Sequence, residues 1–168
     1  MHQRSIAIGI ASAVLGFALS FPGMAQVSLV RDGEARGVVV TANEPTETAR
    51  YAAEELVKHV KWATGVELST VPESDAPAAV HTRVYLGETK ASRHVGIDPE
   101  RLPREAYAMR SVGNDLFIVG HEDDGDPLQQ NNPNVGTLFG AYEFLERVLR
   151  ARWLWPGDLG TCSSPSLS

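Results

Sequence analysis

The stretch GTLFGAYEFLERVLRARWLWPGDLG, residues 136–160, decides the fold that the sequence predicts. Apolar side chains recur there at spacings of three and four residues, which is typical of a helix with one buried face. The buried stripe is predicted to comprise Val135, Leu138, Tyr142, Leu145 and Leu149. Asn132 or Asn134 can cap this helix, with Pro133 in its first turn. A short strand that carries tryptophan is predicted to follow it.

An earlier segment, EPTETARYAAEELVKHVKWATG over residues 44–65, predicts a second helix. Its apolar residues also fall on one stripe, formed by Ala49, Ala53, Leu56, Val60 and Ala63. Pro45 suits a first turn, Glu44 and Glu47 complement the positive end of the helix dipole, and Gly65 is a stop signal.

The remaining segments with regular patterning predict strands. They are VSLVRDGEARGVVVTAN (27–43, two short strands around a polar turn), VELSTV (66–71), RVYLGET (83–89) and EAYAMRSVGNDLFIVGH (105–121, a hairpin). The resulting order of elements predicts an α/β (α+β) sandwich, with a mixed β-sheet of about five to seven strands and two main helices packed on one face.

Residues 1–25 have the features of a signal peptide. Arg4 precedes a run of 16 apolar and small residues, and Pro22 and Gly23 lead to a cleavage position after Ala25. The run is shorter than the roughly 20 residues that a membrane span needs, although a retained N-terminal anchor is a competing interpretation. We therefore expect a secreted or periplasmic chain with no membrane association after cleavage.

The charge and the scattered ligand-type residues exclude several classes of function. A net charge of -6 without a basic cluster argues against a nucleic-acid partner. The histidines of the mature chain are widely spaced singles (His59, His81, His94, His121), so we expect no metal and no cofactor, with His59 at the rim of its helix.

The single cysteine and the acidic segment also have plain interpretations. Cys162 lies in the tail TCSSPSLS, residues 161–168, which we expect to be disordered, so a free thiol is expected rather than a disulfide or a nucleophile. The segment HEDDGDP, residues 121–127, lacks the spacing of a calcium loop and is interpreted as a solvated acidic loop.

Carboxylates occur in pairs on both predicted helices. Glycoside hydrolysis needs two carboxyl groups that face one sugar across a cleft, and Glu54–Glu55 and Glu143–Glu146 have no feature that predicts this arrangement. Glu143 and Arg147 are expected to form an ion pair one turn apart. No catalytic residue is predicted.

The candidate site residues are Trp153 and Trp155, with the adjacent Arg152. Two tryptophans two positions apart in a strand face the same side. They could stack on sugar rings, or they could dock on a neighbouring domain; we favour docking because exposed apolar patches usually mark interfaces.

Four segments together resemble a known family: LVRDGEARGVVVTANEPTETARYAAEELVKHVKWATGVEL, VYLGET, NDLFIVG and GTLFGAYEFLERVLRARWLWPGDLG. They look like the N-terminal accessory domain of large secreted bacterial glycoside hydrolases, of the α-glucuronidase and β-hexosaminidase type. The likeness covers roughly residues 27–160. It implies a sandwich that packs against a catalytic (β/α)₈ barrel, in which the catalytic acid and base lie.

This resemblance sets the functional expectation. Residues 26–160 are expected to form a non-catalytic accessory domain of a glycoside hydrolase that degrades polysaccharide, on a chain that is a fragment without its barrel. The alternatives are a stand-alone carbohydrate-binding module that uses Trp153 and Trp155, and a structural fragment with an exposed apolar docking face.

Overall fold

The computed structural model of the protein describes residues 27–129 and 134–149, together with the backbones of residues 152–153 and 161–162. The predicted signal peptide lies outside the described residues, as do Asn132 and Pro133, which are expected to start the last helix. Within the described residues, no helix combines the length and the apolar character that a membrane crossing needs.

The centre of the fold is a five-stranded mixed sheet in the order β4-β3-β5-β7-β6. Its strands are β3 (Gly37–Thr41), β4 (Thr70–Pro72), β5 (Thr82–Leu86), β6 (Tyr107–Val112) and β7 (Asp115–Gly120). Four of them are parallel, and β6 pairs antiparallel with β7 through the predicted hairpin. Because the inner strands are covered on both faces, their sequences are continuous apolar runs.

Two short antiparallel pairs accompany this sheet. The first joins β1 (Val30–Arg31) to β2 (Glu34–Ala35) across the predicted Asp-Gly turn. The second joins β8 (Arg152–Trp153) to β9 (Thr161–Cys162). The first two residues of the segment expected to be a disordered tail therefore form a strand, because their backbones pair with β8.

The α-helices of the described chain are α1 (Glu47–Thr64), α2 (Lys90–His94) and α3 (Gly136–Leu149). The apolar stripes of α1 and α3 share one core with the sheet residues Val39, Val84 and Ile118. The other face of the sheet has a smaller core, around the stacked rings of Tyr85 and Phe117. The expected α+β architecture is confirmed, with the two main helices on one face.

The start of α1 lies two positions after Pro45, which is expected in the first turn. Thr46 is the N-cap, and its hydroxyl accepts a hydrogen bond from the Ala49 amide at 3.0 Å. Pro45 therefore precedes the cap and does not occupy the first turn. Gly65 ends the helix in the left-handed conformation, as predicted, with φ of 75°.

Glycine lets α3 approach the sheet closely. A Cβ atom at Gly140 would lie 2.5 Å from Cγ2 of Ile118 and 3.1 Å from the ring of Tyr107. At the start of the helix, a Cβ at Gly136 would lie 2.3 Å from the carbonyl oxygen of Ala106. The two glycines of GTLFG thus place the helix backbone directly against β7 and β6.

Candidate functional site

The three predicted site residues, Arg152, Trp153 and Trp155, have no described side chains. Arg152 and Trp153 form β8, paired with β9, and their side chains lie outside the described residues. Trp155 lies outside them altogether. Binding through these tryptophans stays a prediction.

The strand order marks a different place where a ligand could bind. The chain leaves β3 for α1 on one face of the sheet, and leaves β5 for α2 on the other face. In open parallel sheets, such a reversal opens a crevice at the carboxyl ends of the two strands. Gly87 directly follows β5, Thr46 caps the helix that follows β3, and Glu122 comes two residues after β7.

The carboxyl group of Glu122 lies between the residues that follow β3 and those that follow β5. The Thr46 hydroxyl donates a hydrogen bond to Oε2 of Glu122, so the residue that caps α1 also holds the segment after β7. Within the described part of the chain, Oε1 of Glu122 is buried and has no hydrogen-bond partner. A Cβ atom on Gly87 would lie 3.4 Å from Oε1 and 2.7 Å from the Cβ of Ala49, so only glycine fits there.

The surroundings of Glu122 favour its protonated form. Burial raises the pKa of the Glu122 carboxyl above its ordinary value of 4.5, and the negative charge of Glu88 acts in the same direction. The nearby hydroxyls of Thr137 and Thr46 lower this pKa and oppose the effect. The balance of these effects leaves the pKa of the Glu122 carboxyl above its ordinary value.

The acidic loop is partly solvated, as expected, and partly structural. Asp124 and Asp126 are exposed. Asp123, in contrast, accepts a hydrogen bond from the side-chain amide of Asn134 at 2.6 Å, and its backbone amide donates to the Asn134 carbonyl at 3.1 Å. Across residues 27–129 and 134–149, no three acidic, histidine or cysteine side chains are grouped so as to hold a metal ion.

Glu54 and Glu55 do not face one cleft, because only Glu54 borders a groove. Glu55 is buried in the interface between α1 and α3, where it accepts a hydrogen bond from the Tyr142 hydroxyl at 3.4 Å. Burial and the Glu55 charge raise the pKa of Tyr142 above its ordinary value. Glu143 pairs with Arg147, as predicted. Glu55 thus joins two helices, while Glu54 is exposed.

His59 is not a rim residue, contrary to the expectation. It is 1% exposed, and its Nδ1 lies 2.8 Å from the backbone carbonyl oxygen of Glu55. In the sequence, His59 falls beside the apolar stripe of its helix. The spacing of apolar residues cannot show whether such a position stays at the exposed rim of the stripe or is covered by a second helix.

An apolar groove lies at the opposite edge of the sheet. It has a volume of about 390 Å³, between residues 27–31 and the last turns of α1 and α3. Its lining includes Val60, Phe144, Val148 and Leu149. Val148 remains 41% exposed, so the groove opens to solvent beside the residue at which α3 ends and the chain leads to β8.

A second groove, with a mixed lining, lies beside Trp62 on α1. It has a volume of about 840 Å³ and runs between the helix and the segment that enters β4. Trp62 is 45% exposed. The Lys58 amino group lies 4.7 Å from the centre of its ring, and the His59 ring meets it edge-on with centroids 5.2 Å apart.

Sequence reasoning missed both Glu122 and Trp62, although each leaves a signal. Glu122 follows a buried strand by two residues, at the edge where parallel strands gather polar groups. Trp62 is a large aromatic side chain that lies off the apolar stripe of its helix.

The comparisons with known proteins give no family for this chain. No protein-family model matches it, and no curated protein matches it significantly.

Proposed function

We propose that this chain is a non-catalytic accessory domain of a secreted glycoside hydrolase, and that it docks on the catalytic (β/α)₈ module through the apolar groove at the end of α3. The observation that carries the proposal is the position of that groove. It borders Leu149, from which the chain leads to β8, and it keeps Val148 exposed in a lining that is mainly apolar but also includes Ser28, Arg31, Thr64 and His81. Apolar surface left open in this way favours a protein partner.

The carboxyl edge of the sheet supports a structural role for the domain. Glu122 lies at the strand reversal and ties the segment after β7 to the cap of α1. The Glu55 carboxylate similarly joins α1 to α3. These acidic groups are used to close the fold, and the proposal therefore assigns the acid and base to the partner module.

Activity measurements test the proposal in two arms. The chain purified from a heterologous host should release no uronic acid or hexosamine from glycosides. The same chain, tagged and recovered from the secreted fraction of its native host, should carry aryl-glycosidase activity with it. Hydrolysis by the purified chain alone would overturn the non-catalytic assignment, and recovery without activity would overturn the accessory role.

The alternative function, a stand-alone carbohydrate-binding module that uses Trp153 and Trp155, stays a prediction. Exchange of both residues for phenylalanine should abolish sugar-dependent fluorescence changes if those two rings form the binding surface. An unchanged response in that variant would count against it.

A further inference from the structure

We infer that the groove beside Trp62 is a binding site for a neutral pyranoside, such as one unit of a polysaccharide chain. The site lies on α1 and the segment entering β4, far in sequence from the tryptophans at 153 and 155. It does not depend on docking to a catalytic module, so it can fail or succeed independently of the proposed function.

The indole of Trp62 is held in one orientation. The Lys58 amino group lies against its ring, and the buried His59 meets its edge. A cation against the ring adds electrostatic attraction to the packing. A ring fixed before binding loses little conformational freedom when a ligand arrives. Because Trp62 is 45% exposed, its indole keeps free surface on which a sugar ring would stack.

The floor and the rim of the groove supply the two kinds of contact that a sugar needs. Val57 and Leu68 line it with apolar surface, and Ser69 and Thr70 add hydroxyl groups. Lys61 and Glu67 form an exposed ion pair at 2.5 Å at the rim, with exposed fractions of 54% and 64%. Exposed pairs of this kind are weak, so both groups can exchange partners with sugar hydroxyls.

The charge of the lining selects the class of sugar. Two lysines and two glutamates border the groove, which makes its formal charge zero: Lys58, Lys61, Glu54 and Glu67. A uronate or a sulfated sugar would meet as many negative as positive groups. A neutral pyranoside presents an apolar C–H face to the indole and hydroxyls to the rim, which suits this mixture.

Tryptophan fluorescence of the full chain provides the test, because the sequence holds only three tryptophans. The chain is titrated separately with xylotetraose and with chitotetraose, which distinguishes the two sources of neutral pyranoside. Either sugar should change the emission in the millimolar range. The response should persist in the variant W153F/W155F, in which Trp62 is the remaining tryptophan.

The variant W62A should weaken binding by about tenfold, as the loss of one stacked ring implies. Isothermal titration gives this affinity independently of the indole signal. Because Trp62 is exposed, W62A should keep the wild-type melting temperature, and E67Q should weaken binding through the rim alone. Undiminished affinity in W62A, a response confined to Trp153 and Trp155, or no response to either sugar would overturn the inference.

Discussion

At the scale of single residues, Glu122 has the most unusual surroundings. Its carboxyl group lies where the chain switches from one face of the sheet to the other, and the Thr46 hydroxyl holds one of its oxygens. Burial raises its pKa above 4.5. A carboxyl group whose pKa is raised by burial stabilises the fold most while it is protonated, because its ionised form is poorly solvated there.

The raised pKa of Glu122 predicts a pH dependence of stability. Well below pH 4.5, the group is protonated in the folded and unfolded chains alike, so its contribution is fully present. As the pH rises through 4.5 towards the raised pKa of the folded state, the unfolded chain loses the proton first and stability falls, by at most about 1.4 kcal/mol for each pH unit in that window.

The variant E122Q keeps an oxygen for the Thr46 hydroxyl but cannot ionise. The difference in unfolding free energy between E122Q and the wild type should shift in favour of E122Q as the pH rises through this window. Above the window, the difference should stay constant. Urea unfolding from pH 4 to pH 8 measures the difference, with D124N as a control for the change in net charge. Parallel curves for E122Q and the wild type would show that Glu122 ionises freely in the folded state.

Gly87 provides a second prediction at this scale, because it combines a left-handed backbone with a close contact. Its φ is 74°, and a Cβ would lie 2.7 Å from the Cβ of Ala49. Gly65 has nearly the same φ, 75°, and a Cβ added there would meet nothing within 4 Å. G65A should therefore lose about 1–2 kcal/mol from backbone strain alone, and G87A a further 1–3 kcal/mol from overpacking. Equal losses in thermal unfolding would contradict the role of the contact.

At the scale of elements, the approach of α3 to the sheet depends on Gly140. Alanine normally stabilises a helix interior by about 1 kcal/mol relative to glycine. Here the added Cβ would lie 2.5 Å from Ile118, in a strand that is packed on both faces. We expect G140A to be less stable than the wild type by about 1–3 kcal/mol in chemical unfolding.

F139A, at an exposed position of the same helix, should change stability by less than about 0.5 kcal/mol. A gain in stability for G140A would mean that α3 can move away from the sheet.

Helices and the hairpin could be predicted because their signals are local. The stripes of α1 and α3, the stop at Gly65 and the turn between β6 and β7 are read from neighbouring residues. The strand VELSTV was less well placed, since pairing with β3 begins only at Thr70. Leu68, which comes before the paired residues, is nevertheless buried in the core.

The candidate sites could not be predicted in the same way, because they depend on pairing between distant segments. Thr46 and Glu122 are 76 positions apart and meet only because β3, β5 and β7 lie side by side. His59 becomes buried because a second helix packs against α1. Sequence period identifies an apolar face, but not every neighbour that will cover its edges.

At the scale of the whole molecule, the two edges of the sheet have different roles in our proposal. At the carboxyl edge, Glu122 joins the segment after β7 to the cap of α1, whereas the amino edge keeps a mainly apolar groove beside the end of α3. The proposed accessory domain would therefore bind its catalytic partner at the amino edge. A polar group placed in that groove should weaken docking without unfolding the domain.

Val148 and Phe139 form a matched pair for this test. Both are exposed apolar residues of α3, at 41% and 42%, and their separation of nine residues places them on opposite sides of the helix. Val148 lines the groove. V148D and F139D should therefore share similar stability but differ in docking.

The most direct measurement is the aryl-glycosidase activity recovered per mole of tagged chain from the native secreted fraction. The account predicts that the wild type and F139D recover the same activity, and that V148D recovers at least about tenfold less, since a buried charge in an interface costs more than about 1.4 kcal/mol. Equal recovery by V148D and the wild type, or activity that belongs to the purified chain itself, would contradict it.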